Sequence, residues 1–324
     1  MIAAIPYVTA MSIKPDYSVV YNKYIGDGYC KRGTIKSSLD NLGQNQSKGL
    51  ISKKAKSKII DRLSWFHKLS KVKKVQSNKN GKYWQFKLSM ITLTLSSQQV
   101  HSDTVIKRQL LNNFIIKLKR DEKIKTYIWR AEAQKNGNIH FHIIIDKWID
   151  HQTIRQIWNT CQNKLHYVDN CTASVNPNST DIHSLRGIGN VLRYMAKYCT
   201  KNNTKYRQIE GKLWGCSEDL MNIGSIESLL SHNEEYLLRS FEKNNPEKIY
   251  RAERCTIIKL PVNELIKVFP FLFNQVKSYI VNSFHRFAKQ TKIKIIESWT
   301  EFIEKSQALR LLKSLNGQLL LSLQ

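Results

Sequence analysis

A chain of 324 residues with 41% hydrophobic residues can bury one large core or two modest ones, as ordinary folded proteins do. Its charge is unusual, because 52 lysines and arginines against 25 acidic residues give a formal net charge of +27. Such a balance favours a polyanionic partner, above all nucleic acid. No apolar run reaches the roughly 18 residues that a spanning helix needs, so the sequence predicts no membrane partner.

The cysteines and the first residues predict a location inside the cell. The six cysteines are scattered without Cys-x-x-Cys spacing, which argues against a zinc ribbon and is typical of a reducing compartment. Residues 1–11 are mildly apolar but lack the basic start and the cleavage site of a signal peptide. We therefore expect a cytoplasmic protein.

Residues 1–80 are predicted to form a basic N-terminal region. Residues 1–50 have weak periodicity and many polar and turn residues, which indicates a loosely packed lead-in. Residues 51–70 have the pattern of a basic amphipathic helix. The lysine-rich link that follows, residues 71–82, contains an Asn-Gly turn signal.

Residues 81–224 are predicted to form one α+β domain. Its predicted elements, in chain order, are a strand over 83–95, a helix capped by Ser102 or Asp103 and ending near 120, a hairpin of 124–134 and 138–146, a helix from Asp150 to about 162, and a short strand over 171–175 that Pro177 ends. The order strand–helix–strand–strand–helix–strand predicts a split βαβ, ferredoxin-like sandwich with an antiparallel central sheet.

Residues 225–324 are predicted to form a mostly helical C-terminal region of unknown role. The helical patterns cover 234–241, 262–269, 271–287 and 293–315. None of them carries a motif that we can connect to chemistry. The boundary near 225 is placed where the strand signals end.

The hairpin carries the most informative pattern in the chain. His140 and His142 flank Phe141 in a β-branched run just after the turn signal Asn136-Gly137. Residues i and i+2 of a strand share a face, so both imidazoles point the same way. Two adjacent imidazoles on one face can bind a metal ion together.

The loop length of the hairpin determines which residue faces His140. A strict two-residue loop would place Ala133 opposite His140, whereas a three-residue loop, 135–137, places Glu132 there. Three-residue loops commonly end in a left-handed glycine, which Gly137 supplies. We therefore predict Glu132 as the third metal ligand, with Gln134 as the alternative on the same face.

A later helix carries two tyrosines one turn apart. The stretch from about 188 to 199 has an apolar stripe at helical spacing, and Tyr194 and Tyr198 lie beside it. Lys197 lies near Tyr194 on the helix surface. From the residues alone, both tyrosines can equally be half-buried packing residues, since tyrosine commonly buries its ring and keeps its hydroxyl in water.

Three blocks together resemble the HUH endonucleases, and specifically the rolling-circle replication initiators of plasmids and small single-stranded DNA phages. The stretch 91–95 looks like the first strand motif of that family, and His140-Phe141-His142 looks like its His-hydrophobic-His motif. The stretch 194–198 looks like its nucleophile helix, in the two-tyrosine version. The resemblance covers about 83–217.

The resemblance implies a role for each site residue. Glu132, His140 and His142 would hold Mg2+ or Mn2+ at the scissile phosphate of single-stranded origin DNA. Tyr194 would attack to give a 5′-phosphotyrosine link, and Tyr198 would act in the later strand transfer. Which tyrosine cuts first is left open. Lys197 would support the phosphate or the metal site.

Other functions remain open at the level of sequence. The same chemistry serves HUH transposases and plasmid relaxases, although the paired tyrosines favour an initiator. In a different class, a non-catalytic replication or transcription protein would bind DNA with structural histidines. The absence of a Gly-x-x-x-x-Gly-Lys-Ser/Thr motif argues against a fused helicase, so a bacterial host helicase and polymerase are the expected partners.

Overall fold

The computed structural model describes residues 7–25, 51–76, 81–169, 176–185, 207–221 and 226–283. The strands are, in chain order, β1 (Tyr7–Ile13), β2 (Ser18–Tyr24), β3 (Lys73–Gln76), β4 (Tyr83–Phe86), β5 (Leu88–Leu93), β6 (Tyr127–Ala133), β7 (Ile139–Ile145), β8 (Thr180–Leu185), β9 (Trp214–Cys216), β10 (Ile226–Leu229), β11 (Ile249–Arg251) and β12 (Thr256–Ile258). The helices are α1 (Lys53–Leu69), α2 (Asp103–Ile106), α3 (Asn112–Asp121), α4 (His151–Gln162), α5 (Glu218–Met221), α6 (His232–Asn244), α7 (Val262–Val268) and α8 (Phe273–Ser283). This mixture of helices and antiparallel sheets confirms the predicted α+β class.

The chain divides into two compact units. One unit contains Lys31–Met221, and the other combines Met1–Cys30 with Asn222–Gln324. The division of the sequence into regions 1–80, 81–224 and 225–324 stays a prediction. None of the helices in the described part of the chain is long and apolar enough to cross a membrane.

A five-stranded antiparallel sheet with the order β8-β5-β7-β6-β9 forms the centre of the Lys31–Met221 unit. The first four of its strands and the helices between them follow the predicted order. β5 and β7 are central while β8 and β6 flank them, which is a split βαβ arrangement. β8 begins at Thr180, after Pro177. The strand predicted at 171–175 lies outside the described residues.

One face of this sheet is apolar and is covered by helices. Phe141 and Ile143 are fully buried there. Trp158 of α4 packs edge-on against Phe141, with ring centroids 6.2 Å apart. Because alternate residues of a strand point to opposite faces, His140 and His142 lie on the face away from these helices.

Side-chain caps fix where two of these helices begin. Ser102 is the cap of α2 among the two predicted candidates, and its hydroxyl accepts a hydrogen bond from the Val105 amide at 3.4 Å. Asp150 caps α4, as predicted, and accepts from the Gln152 amide at 2.8 Å. Both caps satisfy amides that the first helical turn leaves without partners.

The segment predicted as one strand over 83–95 forms two strands. β4 pairs with β3 in a separate two-stranded ribbon, whereas β5 lies in the central sheet. The break falls at Lys87, whose ammonium group donates to the carbonyl of His67 in α1. The alternating pattern runs across this break, so sequence periodicity did not reveal it.

Helix α1 confirms the predicted basic helix, and its buried His67 makes the stability of this unit depend on pH. Burial, and secondarily Lys87 and Lys68, lower the pKa of His67 to about 4. A folded-state pKa below the unfolded value means that the unfolded chain binds more protons between about pH 4 and 6.5. The stabilisation by neutral His67 is therefore present at neutral pH and is lost as the pH falls through this window.

The substitution His67→Gln tests this dependence. We expect the wild-type protein to lose about 1 to 2 kcal/mol more unfolding free energy than the variant between about pH 7 and pH 5. Urea denaturation in the presence of a chelator measures both slopes. Identical slopes in the two proteins would show that His67 titrates normally in the folded state.

The second unit contains its own antiparallel sheet, with the order β10-β1-β2-β12-β11. Strands β1 and β2 pair along their full length, so 7–24 is a central hairpin rather than the loosely packed lead-in that the sequence indicated. Its partners come from residues 226–258, and their three- or four-residue length is too short for a period-2 signal. Helices α6, α7 and α8 confirm the helical character of the C-terminal region. The predicted helix over 293–315 lies beyond the described residues.

Candidate metal centre

The turn of the β6–β7 hairpin has three residues, as predicted. The amide of Gln134 donates to the carbonyl of Asn138 at 2.8 Å, and the amide of Gly137 donates to the carbonyl of Gln134 at 3.0 Å. Gly137 has a φ of +86°, a left-handed conformation that strains any residue with a Cβ atom. The turn therefore sets the register of both strands.

This register brings the three predicted ligands together. Glu132 lies opposite His140, and Arg130 lies opposite His142, all on the face away from the helices. One ligand atom from each of Glu132, His140 and His142 lies within 4.8 Å of the others. The carboxylate of Glu132 approaches Nε2 of His140 to 3.7 Å, and the two imidazole centroids are 4.7 Å apart.

The polar atoms of this cluster fit a bound cation. Glu132 is 8% exposed and His142 is 6% exposed. Among the described residues, Oε1 of Glu132 and both ring nitrogens of His140 are buried and have no hydrogen-bond partner. Buried polar groups are normally satisfied, and a divalent ion would satisfy a carboxylate and two imidazoles at once.

The electrostatics of the cluster favour the metal-binding protonation states. Burial, and secondarily the neighbouring His140, lower the pKa of His142 to about 4, so its imidazole is neutral at neutral pH. Burial acts to raise the pKa of Glu132, but His140, His142 and Arg130 outweigh it and keep the pKa below the ordinary value. Neutral imidazoles and an ionised carboxylate are the forms that bind metals.

Arg130 places a buried positive charge beside the cluster. Its Nε lies 4.0 Å from Oε1 of Glu132, and its Nη1 donates to the carbonyl of Leu213 at 3.1 Å. Arg130 is 4% exposed, and arginine stays charged at such sites. Its charge therefore favours the ionised form of Glu132.

Thr92 orients one of the histidines. Its Oγ1 lies 3.2 Å from Nδ1 of His142, because Thr92 and His142 are partners in the β5–β7 register. A hydrogen bond at Nδ1 leaves Nε2 of His142 as the ligand atom. Sequence analysis placed Thr92 in a strand motif but missed this role, since the pairing of β5 with β7 is not visible in the sequence.

A buried ion pair holds the hairpin turn. Asp103, which is 1% exposed, accepts from both terminal nitrogens of Arg207 at 2.7 and 2.6 Å. Arg207 Nε donates to the carbonyl of Gly137 at 2.5 Å. Gln99 completes the clamp, because its amide group donates to Asp103 at 2.9 Å and accepts from the Ile139 amide at 2.7 Å. The start of α2 and the segment after 206 are thus both attached to the turn.

The ion pair also sets the charge of Asp103. Burial acts to raise the pKa of Asp103, but hydrogen bonds from Arg207, Gln99 and the Glu210 amide outweigh it and leave the pKa below its ordinary value. A buried carboxylate that loses its cation is left with an uncompensated charge. The clamp therefore depends on Arg207.

We expect Arg207→Ala to lower the unfolding free energy by about 2 kcal/mol, because it removes two charge-assisted hydrogen bonds from a buried carboxylate. Arg120→Ala is the matched control, since Arg120 pairs with Asp121 at the same 2.6 Å but on the surface. Urea denaturation should show no measurable change for the control. Equal effects of the two substitutions would contradict the role of Arg207 as a buried clamp.

The predicted nucleophiles Tyr194 and Tyr198, together with Lys197, lie outside the described residues. The described chain stops at Leu185, the end of β8, and resumes at Arg207. Both of these points belong to the unit that carries the metal centre, and Arg207 contacts its hairpin turn directly. The role of the tyrosines stays a prediction.

The sequence model of the family described as Replication-associated protein ORF2 matches residues 88–203. This segment is about a third of the chain and includes Glu132, His140, His142 and both predicted tyrosines. A search of curated proteins and a search of solved structures found no match. Over 88–203 the chain is therefore similar to replication-associated proteins.

Proposed function

We propose that the chain is a replication initiator that nicks and rejoins single-stranded origin DNA, as two-tyrosine rolling-circle initiators of the HUH class do. The observation that carries this proposal is the cluster of Glu132, His140 and His142, which lies inside the segment that matches the replication-associated family. The formal net charge of +27 supports a nucleic-acid substrate. The word replication in the name of the matched family favours an initiator over a transposase or a relaxase.

Glu132, His140 and His142 are the residues that would hold a divalent ion, Mg2+ or Mn2+. Two imidazoles in the ligand set suit Mn2+ better than Mg2+, which prefers oxygen ligands and retains water. When bound, the ion would supply positive charge to the scissile phosphate. The protein's own part is to keep both imidazoles neutral and Glu132 ionised, which burial and Arg130 achieve.

The proposed reaction transfers a DNA phosphate to a tyrosine. The oxygen of Tyr194 or Tyr198 forms a bond to the scissile phosphorus, the bond to the 3′ oxygen breaks, and the hydroxyl proton ends on the released 3′-OH. The protein is then joined to the 5′ phosphate, and the free 3′-OH can prime synthesis. Attack by a 3′-OH on this link rejoins DNA without ATP.

The two tyrosines would share the cycle. One would cut the origin, and the other would act as the second nucleophile in the strand transfer that ends a round. A tyrosine hydroxyl with a pKa of about 10 is a poor nucleophile at neutral pH, so it needs cations near the phosphate. We assign Lys197 to that role. A host helicase would unwind the DNA and a host polymerase would extend it, in the cytoplasm of a bacterium.

The test is cleavage of labelled single-stranded DNA carrying the cloned origin, with Mn2+ or with a chelator. We expect metal-dependent cleavage that leaves a protein-blocked 5′ end and a 3′ end that a polymerase can extend. Binding of the origin without cleavage in either condition would contradict the proposal. It would instead support a DNA-binding protein whose histidines are structural.

A further inference from the structure

The two-stranded ribbon of β3 and β4 lies in a strongly basic stretch of the chain. Residues 71–87 contain six lysines and no acidic residue. The strands pair antiparallel, with Lys74 opposite Gln85 and Gln76 opposite Tyr83. The ribbon ends before residue 88, where the match to the replication-associated family begins.

The inner face of the ribbon attaches it to the domain. Trp84 packs edge-on against Trp148 with ring centroids 5.5 Å apart, and Phe86 lies 6.2 Å from the same ring. The ammonium group of Lys73 donates to the carbonyl of Asp146, just after the end of β7. The base of the ribbon is therefore fixed to the strand that carries His140 and His142.

The outer face presents polar groups to the solvent. Lys74, Gln76, Tyr83 and Gln85 alternate with the inner residues and are exposed, and Tyr83 is 68% exposed. Gln76 also donates to the carbonyl of Gly81 at 3.1 Å, which braces the return of the chain. Gly81 has a φ of +65°, as a tight turn requires.

This combination of shape and chemistry fits the major groove of duplex DNA. An antiparallel two-stranded ribbon is one of the two protein elements that the major groove admits. Glutamine amides can bind the edge of adenine, while lysines bind guanine edges or phosphates. The lack of acidic residues removes the repulsion that a phosphate backbone would otherwise meet.

We propose that the β3–β4 ribbon reads duplex DNA in the major groove, with Lys74 and Gln85 as its contacts at the centre of the outer face. As the duplex flanking a nick site is the partner in question, the proposal rests on the proposed initiator function for its biological setting. The binding itself needs neither metal nor tyrosine. It therefore gives the protein a recognition surface that is separate from its cleavage chemistry.

The test uses a pool of random duplexes about 30 base pairs long, selected for binding to the full-length wild-type protein in a chelator. We expect Lys74→Ala/Gln85→Ala to bind the selected duplexes about 30-fold more weakly, and the dependence of log affinity on log salt to fall by about one. The matched control is Lys164→Ala/Gln156→Ala, which removes the same residue types from exposed positions on and after α4. The control should bind as the wild type does.

Two outcomes would overturn the ribbon proposal. One is a ribbon variant that binds the selected duplexes as tightly as the control, with an unchanged thermal unfolding midpoint. The other is a selection in which the wild-type protein enriches no duplex sequence. Since these measurements contain no divalent metal, a failure of single-stranded cleavage in Mn2+ counts against the initiator function alone.

Discussion

His142→Ala is expected to abolish metal-dependent cleavage, lowering its rate about 1,000-fold, because the substitution removes one of three ligands from the metal centre. A metal ion at a scissile phosphate contributes several kcal/mol to transition-state stabilisation, and each 1.36 kcal/mol is a factor of ten in rate. Calorimetric titration with Mn2+ gives a readout that does not depend on activity. We expect no binding to His142→Ala that the titration can detect.

Two further variants grade this effect. Glu132→Gln keeps the shape of the side chain but removes its charge, and should weaken Mn2+ binding nearly as much as His142→Ala. Thr92→Val removes the group that orients His142 and should weaken binding about 10- to 100-fold. His151→Ala, at an exposed histidine at the start of α4, is the control and should change nothing. Wild-type Mn2+ affinity in His142→Ala would contradict the assignment of the ligands.

The double substitution Tyr194→Phe/Tyr198→Phe should eliminate the covalent link between protein and DNA. Phenylalanine keeps the ring but lacks the oxygen that would bond to phosphorus, so no phosphotyrosine can form. The measurement is a denaturing gel of labelled single-stranded origin DNA after incubation with protein and Mn2+. Each single variant reports which tyrosine cuts first, because its partner remains available.

Two other tyrosines define the controls for this experiment. Tyr236 is 73% exposed in α6, and Tyr236→Phe should form the adduct at the wild-type level. Tyr167 is not a competing nucleophile, since its hydroxyl accepts from the amides of Val100 and His101 at 3.1 and 3.0 Å. A double variant that still forms the adduct would rule out both predicted nucleophiles.

Local patterns were sufficient to predict the hairpin of the metal centre. The position of Gly137 indicated a three-residue turn, and strand periodicity then placed Glu132 opposite His140. Both signals act within about ten residues of the chain. The same holds for the cap at Asp150, which is read from its immediate neighbours.

Contacts between distant parts of the chain could not be predicted. Thr92 and His142 are 50 positions apart, and Asp103 and Arg207 are 104 positions apart. Their pairing follows from the strand order of the central sheet and from the way the chain returns to the turn. No local preference of these residues records either feature, because each polar side chain has many alternative partners.

The sheet of the second unit was missed for a related physical reason. Strand β1 pairs with β10 more than 200 positions away, and β10 has only four residues. Short strands gain their stability from the sheet around them rather than from their own β-propensity. The apolar alternation of 7–24 was therefore visible, but its partners were not.

The central claim is that Glu132, His140 and His142 form one divalent metal site, and anomalous X-ray scattering from crystals grown with Mn2+ tests it most directly. We expect a single strong anomalous peak in direct contact with a carboxylate oxygen of Glu132 and with Nε2 of both histidines. Ordered side chains at this cluster without an anomalous peak, in crystals saturated with Mn2+, would contradict the claim.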